Sequence, residues 1–385
     1  MTSPPSPART WRDARRLLAV RLDNLGDVLM TSPALAALRE SLPEAHLTLL
    51  ASPGGAALAP HLPMVEDVIA YRAPWVAQPG LAQPSVGAED RALVERLASG
   101  RFDAAVVFTT CTQSPLPAAL VCALAGIPER LAHCRENPYG LLTTWVRETD
   151  VVAPGMRHEV ERQLQLVARV GCTTADERLR LVLRPEDLVR LAQACDGTGF
   201  GPGRPYIVVH PGASAPSRRW PAERFGAAAA QLAHATGRTV VFTGGADEQA
   251  LVAAARDACR APSWSFAGRL ELGAFAALIS GADLLLTNNS GPVHIAAALG
   301  TPVVDCYALT NPQHEPWRVA SRVLSHEVPC RDCLKSICPQ GHHGCLLGVT
   351  TECVVEAAVE LLGTTVHRPR HRAVSRRARA SEAVA

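Results

Sequence analysis

Short apolar runs alternate with segments of helical period along the first half of the chain. Leu17–Arg21 reads as a strand, and Pro33–Ser41 as a helix with Ser32 as N-cap and Pro33 at its first position. His46–Leu50 and the short Val68–Ala70 read as strands, and Ala104–Phe108 as a buried one. Between the last two, "PWVAQPGLAQPSVGAED" is a loop punctuated by Pro and Gly that leads to a helix near Arg91–Ala98. Residues 157–170, "RHEVERQLQLVARV", are amphipathic at helical spacing. A short helix in "RPEDLVRLAQACDGTGFGPGRP" then runs into a Gly/Pro cluster. The alternation resumes with strands at Ile207–Val209, Thr239–Thr243, Leu284–Thr287 and Val303–Cys306. Helices fall at Ala222–Ala235, near Asp247–Cys259, at Leu272–Ser280 and at Gly291–Leu299. Strands that alternate with helices predict parallel sheets covered on both faces. Two such units in series place a ligand at the carboxyl ends of both sheets, in the cleft between them.

At 385 residues, with 48% hydrophobic and 19% charged positions, the chain suits two globular domains, each with its own core. Aromatics are only 4% and the formal net charge is +2, which argues against stacking or electrostatic binding of nucleic acid. Basic residues gather at Pro7–Arg16 and again at His367–Arg372, Arg376, Arg377 and Arg379, without apolar partners. Residues 1–16 and 364–385 therefore read as flexible tails, solvated or drawn weakly to the inner face of the cytoplasmic membrane. No run of 18 apolar residues occurs, and the N-terminus lacks the apolar stretch of an export signal. Twelve cysteines, several in apolar surroundings, fit a reducing, cytoplasmic compartment.

Three loops carry candidate chemistry. In "RLDNLGDVLMTSPALAALR", Asp27 follows a strand and Gly26, which puts its carboxylate at the cleft edge of the first sheet. An acid near a helix N-terminus is equally expected from the helix dipole alone. In "VVHPGASAPSRRWPAERF", small residues around Ser214 let backbone N–H groups approach a ligand, and Arg218 could clamp an anion. A solvent-exposed arginine pair is the plainer reading. In "LLLTNNSGPVHIAAALGTPVV", Asn289, Ser290 and Gly291 open an alanine-rich helix whose free N–H groups suit a phosphate, with His294 one turn in. Simple capping also explains those polar residues.

Taken together, a proton acceptor on one unit and an anion site on the other match the needs of group transfer from a nucleotide. At these residues the chain resembles glycosyltransferase family 9, the ADP-heptose:lipopolysaccharide heptosyltransferases, over roughly residues 17–363. The carriers are "RLDNLGDVLMTSPAL", "HPGAS…RRWPAERF", "TGGADE" and "NNSGPVHIAAALGTP", in the family's order. The resemblance implies a GT-B architecture, two Rossmann-like domains facing across a cleft. It places an acceptor-side domain at 17–184, a linker at 185–204 and a donor-binding domain at 205–363. It also implies metal-independent transfer with inversion at the anomeric carbon. ADP-heptose would be the donor, and a lipopolysaccharide-core-like or other surface glycan the acceptor. Position by position, Asp27 matches the general base. Gly26, Ser214, Arg218, Ser290, Gly291 and His294 match donor-site positions, with Arg218 where the family usually has lysine. Asp247 or Glu248 is placed for the ribose, and Leu270 for the base. Asn289 departs from the family, which has an acid there.

"CRDCLKSICPQGHHGC" spaces Cys330, Cys333, Cys338 and Cys345 around two histidines. The spacing is open to a structural zinc site or to free or paired thiols in a loop near the cleft, with a structural or acceptor-side role. Rival readings are a nicotinamide-dependent oxidoreductase and a non-catalytic sugar-nucleotide- or zinc-binding protein. The first requires a G-x-G-x-x-G turn where the chain has "LDNLGD".

Overall fold

A computed structural model describes residues 11–76 and 84–364. The expected tails over 1–10 and 365–385, and residues 77–83 of the Pro/Gly-rich loop, lie outside the described residues. Residues 11–16 do not belong to a tail. Trp11–Asp13 form a 3-10 turn, Trp11 and Ala14 are buried in the core, and Arg16 opens the first strand. One indole is enough of an apolar anchor to fix this basic stretch.

The first sheet contains β1 (Arg16–Arg21), β2 (His46–Ala51), β3 (Asp67–Ala70), β4 (Ala104–Val107), β5 (Glu129–Cys134) and β6 (Thr144–Arg147). Its connections carry α1 (Leu25–Ser41), α2 (Pro53–Ala56), α3 (Ala88–Ser99) and α4 (Leu116–Leu124), and α5 (Glu159–Ala168) follows β6. After α6 (Pro185–Cys195), the second sheet contains β7 (Tyr206–His210), β8 (Thr239–Phe242), β9 (Ser263–Ser265), β10 (Leu284–Asn288), β11 (Val303–Cys306) and β12 (Ser321–Leu324). Around it lie α7 (Ala222–Thr236), α8 (Gln249–Ala258), α9 (Leu272–Gly281), α10 (Gly291–Leu299), α11 (Gly344–Leu347) and α12 (Thr351–Thr364).

All strand pairs are parallel, as the near-continuous apolar runs in β1 and β7 require of strands buried on both faces. The spatial orders are β3-β2-β1-β4-β5-β6 and β12-β11-β10-β7-β8-β9. Both are the doubly wound order, in which the chain reverses direction between the first and fourth strands of each sheet. The crevices for a ligand therefore open beyond β1 and β4 in one lobe, and beyond β7 and β10 in the other. The helix α1 packs on α5 and also crosses to α10, and α6 packs on α9. Val28 and Leu29 of α1 share one buried cluster with Val293 and Ile295 of α10, each side chain stabilising the contact by about 1.5–3 kcal/mol.

The first helix corrects the sequence reading. It begins at Leu25, with Asn24 as N-cap, and Pro33 lies in its interior. An internal proline lacks the N–H that would reach the carbonyl four residues back. Here the Ser32 hydroxyl donates to that carbonyl, Leu29 O, at 2.6 Å, so the helix continues. Ser32 Oγ in turn accepts the backbone N–H of Arg180 at 2.8 Å. The Ser-Pro pair that resembles a helix start is in fact a repair within the helix.

Ser32→Ala should therefore destabilise the protein by about 1–2 kcal/mol, read by urea unfolding. The double variant S32A/P33A, which restores a backbone amide at 33, should recover part of that loss. Equal stability of S32A and wild type would refute this role for the hydroxyl.

Candidate active site

The chain leaves β1 at Arg21, turns through Leu22–Asn24 and enters α1, which puts Asp27 in the first helical turn. One Asp27 oxygen accepts the Asn24 backbone N–H at 3.1 Å. The other accepts from Arg21 Nη2 at 3.2 Å. The capping and cleft-facing readings of this acid are thus both realised. Arg21 is fully buried, and it also pairs with Asp23 at 3.1 Å and Glu159 at 3.2 Å. Burial alone would lower the guanidinium's affinity for its proton, but the carboxylates of Asp23, Glu159 and Asp27 outweigh it and raise it. Asp23 takes a further bond from Gln113 Nε2 at 2.5 Å, and Glu159 one from Gln163 Nε2 at 2.5 Å. Asp27 keeps 13% of its side-chain surface open. Burial pushes its pKa up to about 6; Arg21 pulls it down, and Asp23 and Glu159 push it back up.

The opposite wall comes from the second lobe. Beyond β7, the Pro211–Ser214 loop leads to a 3-10 turn at Pro216–Arg218. The two adjacent arginines divide their work. Arg219 Nε donates to Ala213 O at 2.7 Å and holds the loop. Arg218 Nη2 donates to Asn311 Oδ1 at 3.2 Å, and among the described residues no carboxylate pairs with it. Its charge is available to an anion. Asn288, wholly buried at the end of β10, joins the two loops: Nδ2 donates to Pro211 O at 2.7 Å, and Oδ1 accepts the Trp220 N–H at 2.9 Å.

Ser290 occupies the N-cap of α10 but gives its hydroxyl to carbonyls, so the first amides of that helix have no side-chain cap. His294 is buried against α1. A Cβ added at Gly26 would stand 2.8 Å from His294 Cδ2, so only glycine allows this approach of the lobes. Burial, then the neighbouring His314 and His158 rings and the Arg218 guanidinium, lower the His294 pKa to about 3 and keep the ring neutral.

These groups enclose a cavity of about 310 Å³. Gly26, Asp27, Ser214, Arg218, Asn289, Ser290, Gly291 and His294, all singled out from the sequence, line it together. They follow β1, β7 and β10, and Thr110 and Gln113 follow β4, so the cavity occupies the reversal points of both sheets. Asp247, Glu248 and Leu270 do not line it. Asp247 is exposed on a 3-10 turn, and Leu270 is half-buried beside the core. Glu248 caps the Gly245 N–H at 2.8 Å and closes on the backbone of Gly212. Sequence reasoning did not single out Asp23, although it lies inside the first motif, nor Trp75, Gln113 and His314, which no periodic or motif signal marks.

Comparison with known proteins identifies this arrangement. The family model for glycosyltransferase family 9 (heptosyltransferase) matches residues 91–343, well over half of the chain. The chain belongs to glycosyltransferase family 9. It is 29% identical over 356 residues to lipopolysaccharide heptosyltransferase 2 of Escherichia coli strain K12, covering 90% of this chain and 98% of that one. The solved structure of E. coli ADP-heptose lps heptosyltransferase II superposes with a TM-score of 0.69 at 26% identity, covering 90% and 98% of the two chains. E. coli heptosyltransferase WaaC, solved with ADP-2-deoxy-2-fluoro heptose, shares the fold with a TM-score of 0.62 at 19% identity, covering 90% and 99%. The chain is thus a glycosyltransferase with the GT-B fold.

The cysteine-rich loop of this family 9 protein backs the site. Ser217, beside Arg218, donates its N–H to Ser336 O at 3.0 Å and its hydroxyl to Lys335 O at 2.7 Å. Cys330, Cys333, Cys338 and Cys345 are half-buried free thiols. Among the described residues no three His, Cys, Asp or Glu side chains are arranged to hold a metal ion.

Gly26→Ala should push α1 away from α10, lowering nucleotide affinity severalfold and, because that seam is packed, thermal stability with it. Unaltered affinity by calorimetry would show that this contact does not set the width of the cavity.

Proposed function

We propose that the protein transfers heptose from ADP-heptose to a sugar hydroxyl of the lipopolysaccharide core, with inversion at the anomeric carbon. The observation that carries this reading is Asp27 facing, across one cavity, an unneutralised Arg218 and the uncapped start of α10. Asp27 takes the proton of the acceptor hydroxyl as its oxygen attacks C1 of the heptose. The C1–O bond to the diphosphate breaks on the opposite face, and ADP leaves with the bonding pair. A single displacement of this kind inverts C1. Arg218 and the amides of Ser290 and Gly291 receive the growing diphosphate charge, with Ser214 lining the same wall. The neutral His294 contributes hydrogen bonding without a charge that would compete with Arg218. Outside the cavity lining, Glu248, against Gly212, and the neighbouring Asp247 are assigned to a ribose that extends beyond it, and Leu270 to the base. The solved E. coli relative named an ADP-heptose lps heptosyltransferase, and the WaaC structure with ADP-2-deoxy-2-fluoro heptose, support the choice of donor.

We further assign residues 17–184 to the acceptor and 205–363 to the donor, with work at the cytoplasmic face of the inner membrane. Among the described residues no helix is long and apolar enough to cross a membrane.

The decisive experiment is a binding and turnover screen of ADP-, GDP-, UDP- and dTDP-sugars, in which ADP-heptose should stand out. If no nucleotide sugar binds better than its free nucleotide, the proposal is wrong. Asp27→Asn should keep donor affinity and reduce turnover by at least 100-fold. Arg218→Ala should weaken both ADP and ADP-heptose about tenfold or more. Asp27 acts only when ionised, and its pKa is raised, so kcat/KM should be flat at neutral pH and fall tenfold per unit below about 6. A falling limb near 4, the ordinary carboxylate range, would contradict the burial argument.

A further inference from the structure

The loop after β11 brings one more polar group to the cavity. Asn311 is buried, and its Oδ1 accepts from Arg218 Nη2 at 3.2 Å and from Thr310 Oγ1 at 2.7 Å. A guanidinium only donates, so the amide atom facing Arg218 is the oxygen. The amide nitrogen then faces His314 Nδ1 at 2.7 Å and donates to it. In a neutral imidazole whose Nδ1 accepts, the proton sits on Nε2. Burial, the Arg218 guanidinium, the neighbouring His158 ring and the Arg21 guanidinium hold this imidazole neutral. His314 is nine-tenths buried and lines the cavity, yet its Nε2 has no partner. An N–H donor in that position loses free energy until an oxygen reaches it. The backbone carbonyl of His314 accepts from Asn289 Nδ2 at 3.1 Å, which leaves Asn289 Oδ1 as an acceptor beside it.

We propose that His314 is a donor-sugar binding residue: its Nε2–H donates to an oxygen of the transferred sugar, while Asn289 Oδ1 accepts from a neighbouring hydroxyl. The pair is uncharged, one donor and one acceptor, and matches the hydroxyls of a neutral sugar. Its place between Arg218 and the Arg21–Asp27 cluster puts it beside the reacting carbon rather than the nucleotide. This also gives the amide at 289 a local cause. A carboxylate there would face the His314 carbonyl oxygen, whereas an amide bonds to it. The inference rests on the donor reading proposed above.

The test compares ADP and ADP-heptose affinities by calorimetry in wild type and His314→Phe, with 15N-histidine spectra of the free wild-type protein. We expect the free protein to show His314 as the Nε2–H tautomer. H314F should keep ADP affinity within about twofold and lose about tenfold of the preference for ADP-heptose over ADP. Asn311→Asp can only accept, so it should move the proton to Nδ1 and reduce the same preference without emptying the space. Wild type that prefers ADP-heptose, with an unchanged preference in H314F, overturns the role of His314 alone. An Nδ1–H tautomer in wild type does the same. Wild type that binds ADP-heptose no better than ADP overturns both this inference and the proposed function.

Discussion

The buried guanidinium of Arg21 is the interaction on which the acceptor-side wall depends. Three carboxylates from three segments converge on it: Asp23 from the turn, Asp27 from α1 and Glu159 from α5. Removing one partner from such a cluster typically costs about 3–5 kcal/mol, because the remaining charges stay buried and uncompensated. The arrangement also differentiates the carboxylates. Two accept glutamine amides, and the third retains an open edge and an elevated proton affinity. A strand, a turn and a helix whose Glu159 lies 138 residues beyond Arg21 must all be in place before that edge points into the cavity.

Duplication of one topology explains why the chemistry divides between lobes. Each sheet reverses direction between its first and fourth strands, and each reversal opens a crevice between loops at the carboxyl edge. One lobe fills that edge with carboxylates around an arginine. The other fills it with small residues, a helix start and an unpaired Arg218. The carboxylate edge and the Arg218 cation are thereby kept apart until a ligand with an anionic and a hydroxylated end joins them.

The alternation of apolar runs and helical segments made most strands of the two sheets legible, because parallel strands buried on both faces have no polar interruptions. Four strands were not legible: β5 opens on the charged pair Glu129-Arg130, β6 and β12 alternate or half-expose their residues, and β9 is three residues long. The start of α1 was misplaced because Ser32-Pro33 has the chemistry of an N-cap, and only the tertiary fold shows its hydroxyl bonding Leu29. Motifs located Asp27, Arg218 and the α10 start, since each sits where a strand ends. His314 was beyond reach, because its significance comes from Asn311 and Arg218, contacts no local pattern encodes. The paired arginines looked alike in sequence, and only the bond from Arg219 to Ala213 distinguishes the strut from the free cation.

Asn288 has a consequence for motion. With both halves of its amide spent on the Pro211 carbonyl and the Trp220 N–H, it rivets two loops of the second lobe into one piece. Neither loop can swing aside by itself without stranding a buried polar group. Entry and exit of a nucleotide must then occur by parting the halves of the molecule along the α1–α10 seam, as a hinge opens, and not by lifting a flap.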